Sequence, residues 1–214
     1  MSLNKHRFND SERAGVYKAI AERRDMRHFL SDPVDPKILQ NLLQAAHQAG
    51  SVGLMQPWRF IRITEQQIRK NIYQLVDQER KKTAKALAER EKEFMKLKVE
   101  GIKECPELLV VALSDRRNQH IFGRRTLPEM DLASTACAIQ NMWLAARAEG
   151  LGMGWVSLFD PVALATLLKI PDDSKPIAIL CLGHVDEFYP KPMLEIENWT
   201  QGRPLEEFVS ENVW

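Results

Sequence analysis

Across residues 38–49 the apolar positions Ile38, Leu39, Leu42, Leu43, Ala46 and Ala49 recur at helical spacing and share one face. Asp35-Pro36 supplies an N-cap and an N1 proline, and Gly50 stops the run, so a helix is predicted here. Residues 11–24 carry Val16, Ala19 and Ile20 at similar spacing and end in Glu22-Arg23-Arg24-Asp25, a first helix that delivers charge to its C-terminal end. Leu132, Ala136, Ile139, Met142, Trp143 and Ala146 mark a helix apolar nearly all round. Its small residues Ala133, Ser134 and Ala138 admit close packing, which places it in the core or at a dimer interface. Asp160-Pro161 opens a short helix through Leu164, Leu167 and Leu168 that ends before Pro171.

Segments 108–113 and 177–182 are continuously apolar, as strands covered on both faces are. Gly152–Val156 is a shorter strand interrupted by glycine, and 58–63, broken by Arg59 and Arg62, is a partly exposed one. Thr64 and Gln67 have the spacing of a capping box that starts a long helix. From 79 to 98 that helix is dominated by Lys, Arg and Glu, which suits either a solvated face or a mobile lid. The order of elements describes an α+β fold: helices flanking a mixed, buried central sheet, with an extended C-terminal tail. The 214 residues show no internal repeat or linker and form one domain, 1–214.

Thirty Lys and Arg against 29 Asp and Glu leave a net charge of +1, so no field of one sign favours nucleic acid or an acidic membrane. No apolar run is long enough to span a membrane, and the first seven residues lack the apolar stretch of a signal peptide. Cys105, Cys137 and Cys181 are far apart and set among apolar residues, predicting buried thiols in a reducing compartment, the cytoplasm.

The five histidines have no ligand spacing to one another or to cysteine, so no metal site is expected. Gly150-Leu151-Gly152-Met153-Gly154 follows a helix and enters a strand, the reverse of a dinucleotide-binding turn. Ser157 has no neighbouring histidine and no nucleophile-elbow context. What remains is Arg23, Arg24 and Arg27 around Asp25, planar cationic forks that match phosphate oxygens or serve as a solvated, structural cluster.

The segment Glu22-Arg23-Arg24-Asp25-Met26-Arg27-His28-Phe29 resembles the opening motif of the FMN-dependent nitroreductases, with aspartate where serine is usual. The stretches Ala46 to Trp58, Pro128 to Leu132, Ala138 to Gly150 and Gly154-Trp155-Val156-Ser157 extend that likeness to nearly the whole chain. They resemble the branch of the family that consumes its flavin. Ala133, where many relatives carry tyrosine, and Gly50, where many carry proline, depart from the pattern.

The resemblance implies a nitroreductase-like α/β sandwich in an interlocked homodimer, with FMN at the subunit interface. Arg23, Arg24, Arg27 and Arg203 would hold the ribityl phosphate, with Asp25, Met26 and His47 beside the flavin. Ser51, Gly53, Leu54 and Met55 would line it, Met55 serving equally well as core filler. Gly154, Trp155, Val156 and Ser157 would border the isoalloxazine, and Arg90 and Val99 would belong to a lid over 79–101. Reduced FMN would be the substrate, opened by O2 through a flavin C4a-hydroperoxide to 5,6-dimethylbenzimidazole, the lower ligand of cobalamin, and erythrose 4-phosphate. Asp25 and Ser157 are the catalytic candidates; against these roles stand a salt bridge from Asp25 to Arg24 or Arg27, and Ser157 as the end of its strand. A separate NAD(P)H flavin reductase would supply FMNH2. The competing readings are an NAD(P)H-dependent FMN nitroreductase or dehalogenase, and a flavin-binding protein without chemistry.

Overall fold

The computed structural model describes residues 5–214, so the signal-peptide reading of the first residues lies partly outside the described residues. Helix α1 (Asp10–Glu22) starts on a full capping box between Asn9 and Glu12. Helix α2 (Pro36–His47) begins as its sequence predicts, the Lys37 amide donating to Asp35 Oδ1 at 2.7 Å. The remaining helices are α3 (Gln66–Ala86), α4 (Glu91–Phe94), α5 (Met130–Ala148), α6 (Pro161–Leu168) and α7 (Met193–Ile196). The strands are β1 (Trp58–Arg62), β2 (Glu107–Leu113), β3 (Gly152–Val156) and β4 (Lys175–Gly183), in spatial order β1-β2-β4-β3.

Every strand pairing is antiparallel, which corrects the expected mixed sheet; the parallel contact is an isolated bridge between Asp25 and Met153. Helices cover both faces, and that alone makes central strands apolar throughout, whatever their sense. Leu109, Val111, Leu180 and Leu182 point into a core shared with α2 and α5. Their alternates Leu108, Val110, Ile179 and Cys181 pack with Ile72 and Val76 of α3 and Leu164 of α6.

Other expectations shift. Glu65 is the N-cap of α3 and no side chain caps that end, so Thr64 and Gln67 do not form a capping box. The long helix breaks where Ala88 takes φ 47°, a left-handed conformation that splits 79–98 between the end of α3, a 3₁₀ turn and α4. Helix α1 buries none of its residues, leaving Val16, Tyr17 and Ile20 exposed. Cys105 and Cys181 are buried, but Cys137 faces outward from α5. The segment 150–154 runs from the end of α5 into β3, with Gly150 at φ 75° making the turn. Among the described residues no helix is long and apolar enough to cross a membrane.

Candidate active site

Strand β3 lies at the sheet edge, paired to β4 on one side only. The segment after α1 covers its other side. The Met26 amide donates to the Met153 carbonyl at 3.0 Å. The Trp155 amide donates to Asp25 Oδ1 at 2.9 Å, and Arg27 Nη2 donates to the Trp155 carbonyl at 2.9 Å and to Asp25 Oδ2 at 2.5 Å. Two side chains thus satisfy both backbone groups of Trp155, as a neighbouring strand would. Gly154 permits the approach, since a Cβ there would lie 2.2 Å from the Met26 carbonyl oxygen and 2.8 Å from Arg27 Nη1.

Asp25 stands where two adjoining cavities meet. One, of about 360 Å³, is lined by Arg23, Arg24 and Asp25 and closed by 192–195 and 200–202 of the C-terminal tail. The other, of about 240 Å³, is lined by Asp25, Arg27 and Trp155 to Leu158 below, and by Phe94, Leu97, Val99, Met193, Leu194 and Trp199 above. Their volumes suit a small-molecule site with a charged arm and an apolar chamber.

The electrostatics follow from this layout. Burial raises the Asp25 pKa above its ordinary value, against the opposing charge of Arg27, the Trp155 amide and the charge of Arg23. The Asp25 side chain stays 42 % accessible, and the residue lines both cavities. Burial lowers the Arg23 pKa, the nearby Asp25 opposing, but a guanidinium remains charged at any working pH. Arg23 rests over the Trp143 ring at 4.5 Å, and Trp143 Nε1 donates to the Arg24 carbonyl at 3.1 Å. Arg24 donates to the carbonyls of Ala21 and Arg23 at 2.8 Å and of Pro190 at 3.2 Å.

The arrangement fits a phosphorylated, planar ligand. Neither Arg23 nor Arg24 is in an ion pair among the described residues, and Arg24 Nε, Arg27 Nε and Arg27 Nη1 are buried without a partner. Among the described residues, no three His, Cys, Asp or Glu side chains gather as a metal would require.

Not every expected residue arrives at this cleft. Arg27 lies in the chamber with Asp25 and Trp155, apart from the cavity of Arg23 and Arg24. Met26, 1 % exposed, turns its side chain into the core, because alternate residues of an extended segment face opposite ways. Arg203 pairs with Glu207 and stacks on Phe208 in the tail. Arg90 is held by Glu93 and Trp199. Ser157 is exposed and lines the chamber, as does Val99.

A second group sits elsewhere in the same chain. The Val52 amide donates to Ser134 Oγ at 3.1 Å, and the Gln56 amide to Ser51 Oγ at 3.0 Å. Gly53 and Leu54 take positive φ, Leu54 projects outward and Met55 is buried. His47 Nδ1 accepts from Trp58 Nε1 at 3.2 Å. Ser134 and Trp143 anchor the two groups nine residues apart on α5, about 13 Å along the helix.

Sequence reading missed Phe94, Leu97, Met193, Leu194 and Trp199, which roof the chamber, and Tyr189, whose hydroxyl lies 2.7 Å from His28 Nδ1. The available signal was Trp199, a lone large aromatic in a polar stretch of tail.

The chain belongs to the nitroreductase family, whose model matches residues 20–184. More particularly, it is 39 % identical over 202 residues to the 5,6-dimethylbenzimidazole synthase of Rhodospirillum rubrum, covering 92 % of this chain and 94 % of that one. It is 35 % identical to the enzyme of that name from Rhodobacter capsulatus, covering 93 % and 97 %. Nitroreductase A of Vibrio parahaemolyticus has the same fold, with a TM-score of 0.70 at 21 % identity over 94 % of this chain and 77 % of that one.

Proposed function

We propose that the protein is a 5,6-dimethylbenzimidazole synthase that takes reduced FMN as its substrate and O2 as oxidant, releasing erythrose 4-phosphate. The observation that carries this reading is a carboxylate at the junction of an arginine-lined cavity and a roofed chamber. A phosphate on Arg23 and Arg24 with a ring system against Trp155 and Ser157 puts the linking ribityl carbon beside Asp25. Relatives named for this activity at 39 % and 35 % identity support it.

Bound in this way, reduced flavin supplies the electrons for O2 chemistry. Arg23 and Arg24 anchor its phosphate, and Arg27 steadies Asp25. Asp25 takes and returns a proton at the sugar carbon attached to the ring, its raised pKa suiting exchange. Ser157 offers a hydroxyl at the chamber wall, and Phe94, Leu97 and Trp199 keep water out.

A homodimer completes the site in this reading. Val16, Tyr17 and Ile20 on α1 and Phe208, Val213 and Trp214 in the tail lie exposed, and the Ser51 to Met55 group would reach the flavin from the partner chain. A separate NAD(P)H flavin reductase supplies FMNH2, and the three unpaired cysteines suit the cytoplasm.

Incubated aerobically with chemically reduced FMN, the protein yields 5,6-dimethylbenzimidazole by mass spectrometry. Reoxidation of the flavin with no such product, or steady NADPH oxidation in a mixture without reductase, overturns the reading. Ser157→Ala lowers the rate about tenfold, the worth of one net hydrogen bond, with an unchanged melting temperature because the side chain is exposed. An unchanged rate removes Ser157 from the chemistry.

A further inference from the structure

The roof over the chamber has two leaves from distant parts of the chain. Phe94, Leu97 and Val99 come from the lid, and Met193, Leu194 and Trp199 from the tail. Each leaf is short: α4 and α7 have four residues apiece, too few to hold a helical conformation without support from packing. What joins them is concentrated at one place. Arg90 Nη2 donates to the Trp199 carbonyl at 3.0 Å, its guanidinium lies 3.4 Å from the centre of the Trp199 ring, and Phe94 packs on the same ring at 6.0 Å. Glu93 accepts from Arg90 Nε at 2.9 Å and from the same Nη2 at 3.0 Å, fixing the guanidinium against the tail.

Among the described residues, that Arg90 bond is the one side-chain hydrogen bond linking 79–101 to the tail beyond 190. The backbone is bent to present it. Ala88 at φ 47° turns the chain just before Arg90, and Asn198 at φ 55° does so just before Trp199. Ala84, Phe94 and Leu97, with Leu87, Val99, Leu158 and Trp199 packed on them, form a small satellite cluster that shares Leu158 with the core on the α3 side. A satellite joined to the core through so little opens at a lower cost than the rest of the fold.

We propose that Arg90 and Trp199 are the latch that holds the two leaves shut, positioning residues that control passage into the chamber. This gives Arg90 a partner within the protein itself. The inference rests on the cleft being the flavin site only for what passes through it. The latch itself is made by side chains of this chain alone.

Hydrogen exchange read by mass spectrometry on the flavin-free protein tests it, comparing the parent with Arg90→Ala, Trp199→Ala and the double variant. Amides of Arg90, Met95, Lys96 and Leu97, all bonded within the lid, should exchange about tenfold faster in each single variant, as befits loss of one partly desolvated cation–π contact. The double variant should exchange faster than either single but by less than the product of their effects: the cation–π contact is lost in both, while Arg90→Ala alone removes the bond to the Trp199 carbonyl and Trp199→Ala alone the contact with Phe94. Trp199→Phe, which keeps an aromatic face of weaker attraction, should fall between. Release of chemically reduced FMN under anaerobic conditions should quicken by a similar factor in each single variant. Unchanged lid exchange in both single variants, or effects that simply add, overturns the latch. Failure of the parent to hold reduced FMN overturns the flavin reading and leaves exchange to decide the latch.

Discussion

Asp25→Asn lowers dimethylbenzimidazole formation by about 10²–10⁴-fold, the usual worth of a positioned acid or base, while the protein stays at least as stable as the parent at neutral pH. Two effects oppose each other in the stability. Asparagine keeps an oxygen for the Trp155 amide but turns an NH2 toward Arg27, which loses its ion pair. Against this, the variant no longer carries a charge that burial disfavours, and the raised Asp25 pKa shows that burial outweighs Arg27 and the amide together. The sign follows from proton binding. Between the ordinary value of 3.8 and the higher folded value, the folded chain keeps a proton that the unfolded chain has lost. Stability of the parent therefore falls as pH rises through that window and stays lower above it, whereas asparagine escapes the loss. Melting temperatures of the two proteins should converge as pH is brought below 3.8, and the acid limb of kcat/KM in the parent should lie above that value. Full activity in Asp25→Asn, or a much lower melting temperature at neutral pH, would assign Asp25 to clamping Trp155 alone.

The aspartate in place of serine was visible in the sequence, but the reason it fits was not. A serine hydroxyl has one oxygen, whereas a carboxylate can accept from the Trp155 amide and from Arg27 at once and still face the cavities. That requirement arises from the free edge of β3, which no local pattern reveals.

Elements with local signals were legible. Helices α2 and α6 announced themselves by Asp-Pro starts, α5 by its period, and β3 by its position after Gly150. The sense of the sheet was not, since apolar runs record burial and not direction. The break at Ala88 was hidden too, because a left-handed alanine carries no compositional mark and is held in place by the packing of 84–97 against the tail. Arg23 and Arg24 stand together at the cavity as their motif predicts, while Arg90 meets Trp199 only once the tail has folded back, and Arg203 turns to Glu207 and Phe208 a few residues along the tail. A charged side chain in a sequence does not declare which of several partners it will meet.

Gly154→Ala should do the most damage for the smallest change. The added carbon meets the Met26 carbonyl oxygen at 2.2 Å, and backbone cannot swing aside as a side chain can. The segment 25–27 must therefore lift from β3, stretching the bond from Met26 to Met153 and opening both contacts to Trp155. Overpacking of this kind costs about 1–3 kcal/mol, visible as a lower urea midpoint. The larger effect falls on the ligand. Arg23 and Arg24 immediately precede the displaced segment, and losing even one charge-assisted hydrogen bond to phosphate weakens reduced FMN binding about 10–100-fold. Gly152→Ala, two residues earlier on the strand, is the control. There the severe contact is with Val185 Cγ1 at 2.4 Å, away from the arginines, and Met26 is met only at Cγ, 3.0 Å, and Cβ, 3.2 Å, so stability should drop while flavin affinity falls far less than in Gly154→Ala. Titration of the two variants with reduced FMN under anaerobic conditions separates them. If Gly154→Ala binds as tightly as the parent, the apposition of 25–27 on β3 does not build the flavin site, and the arginines must act from somewhere else.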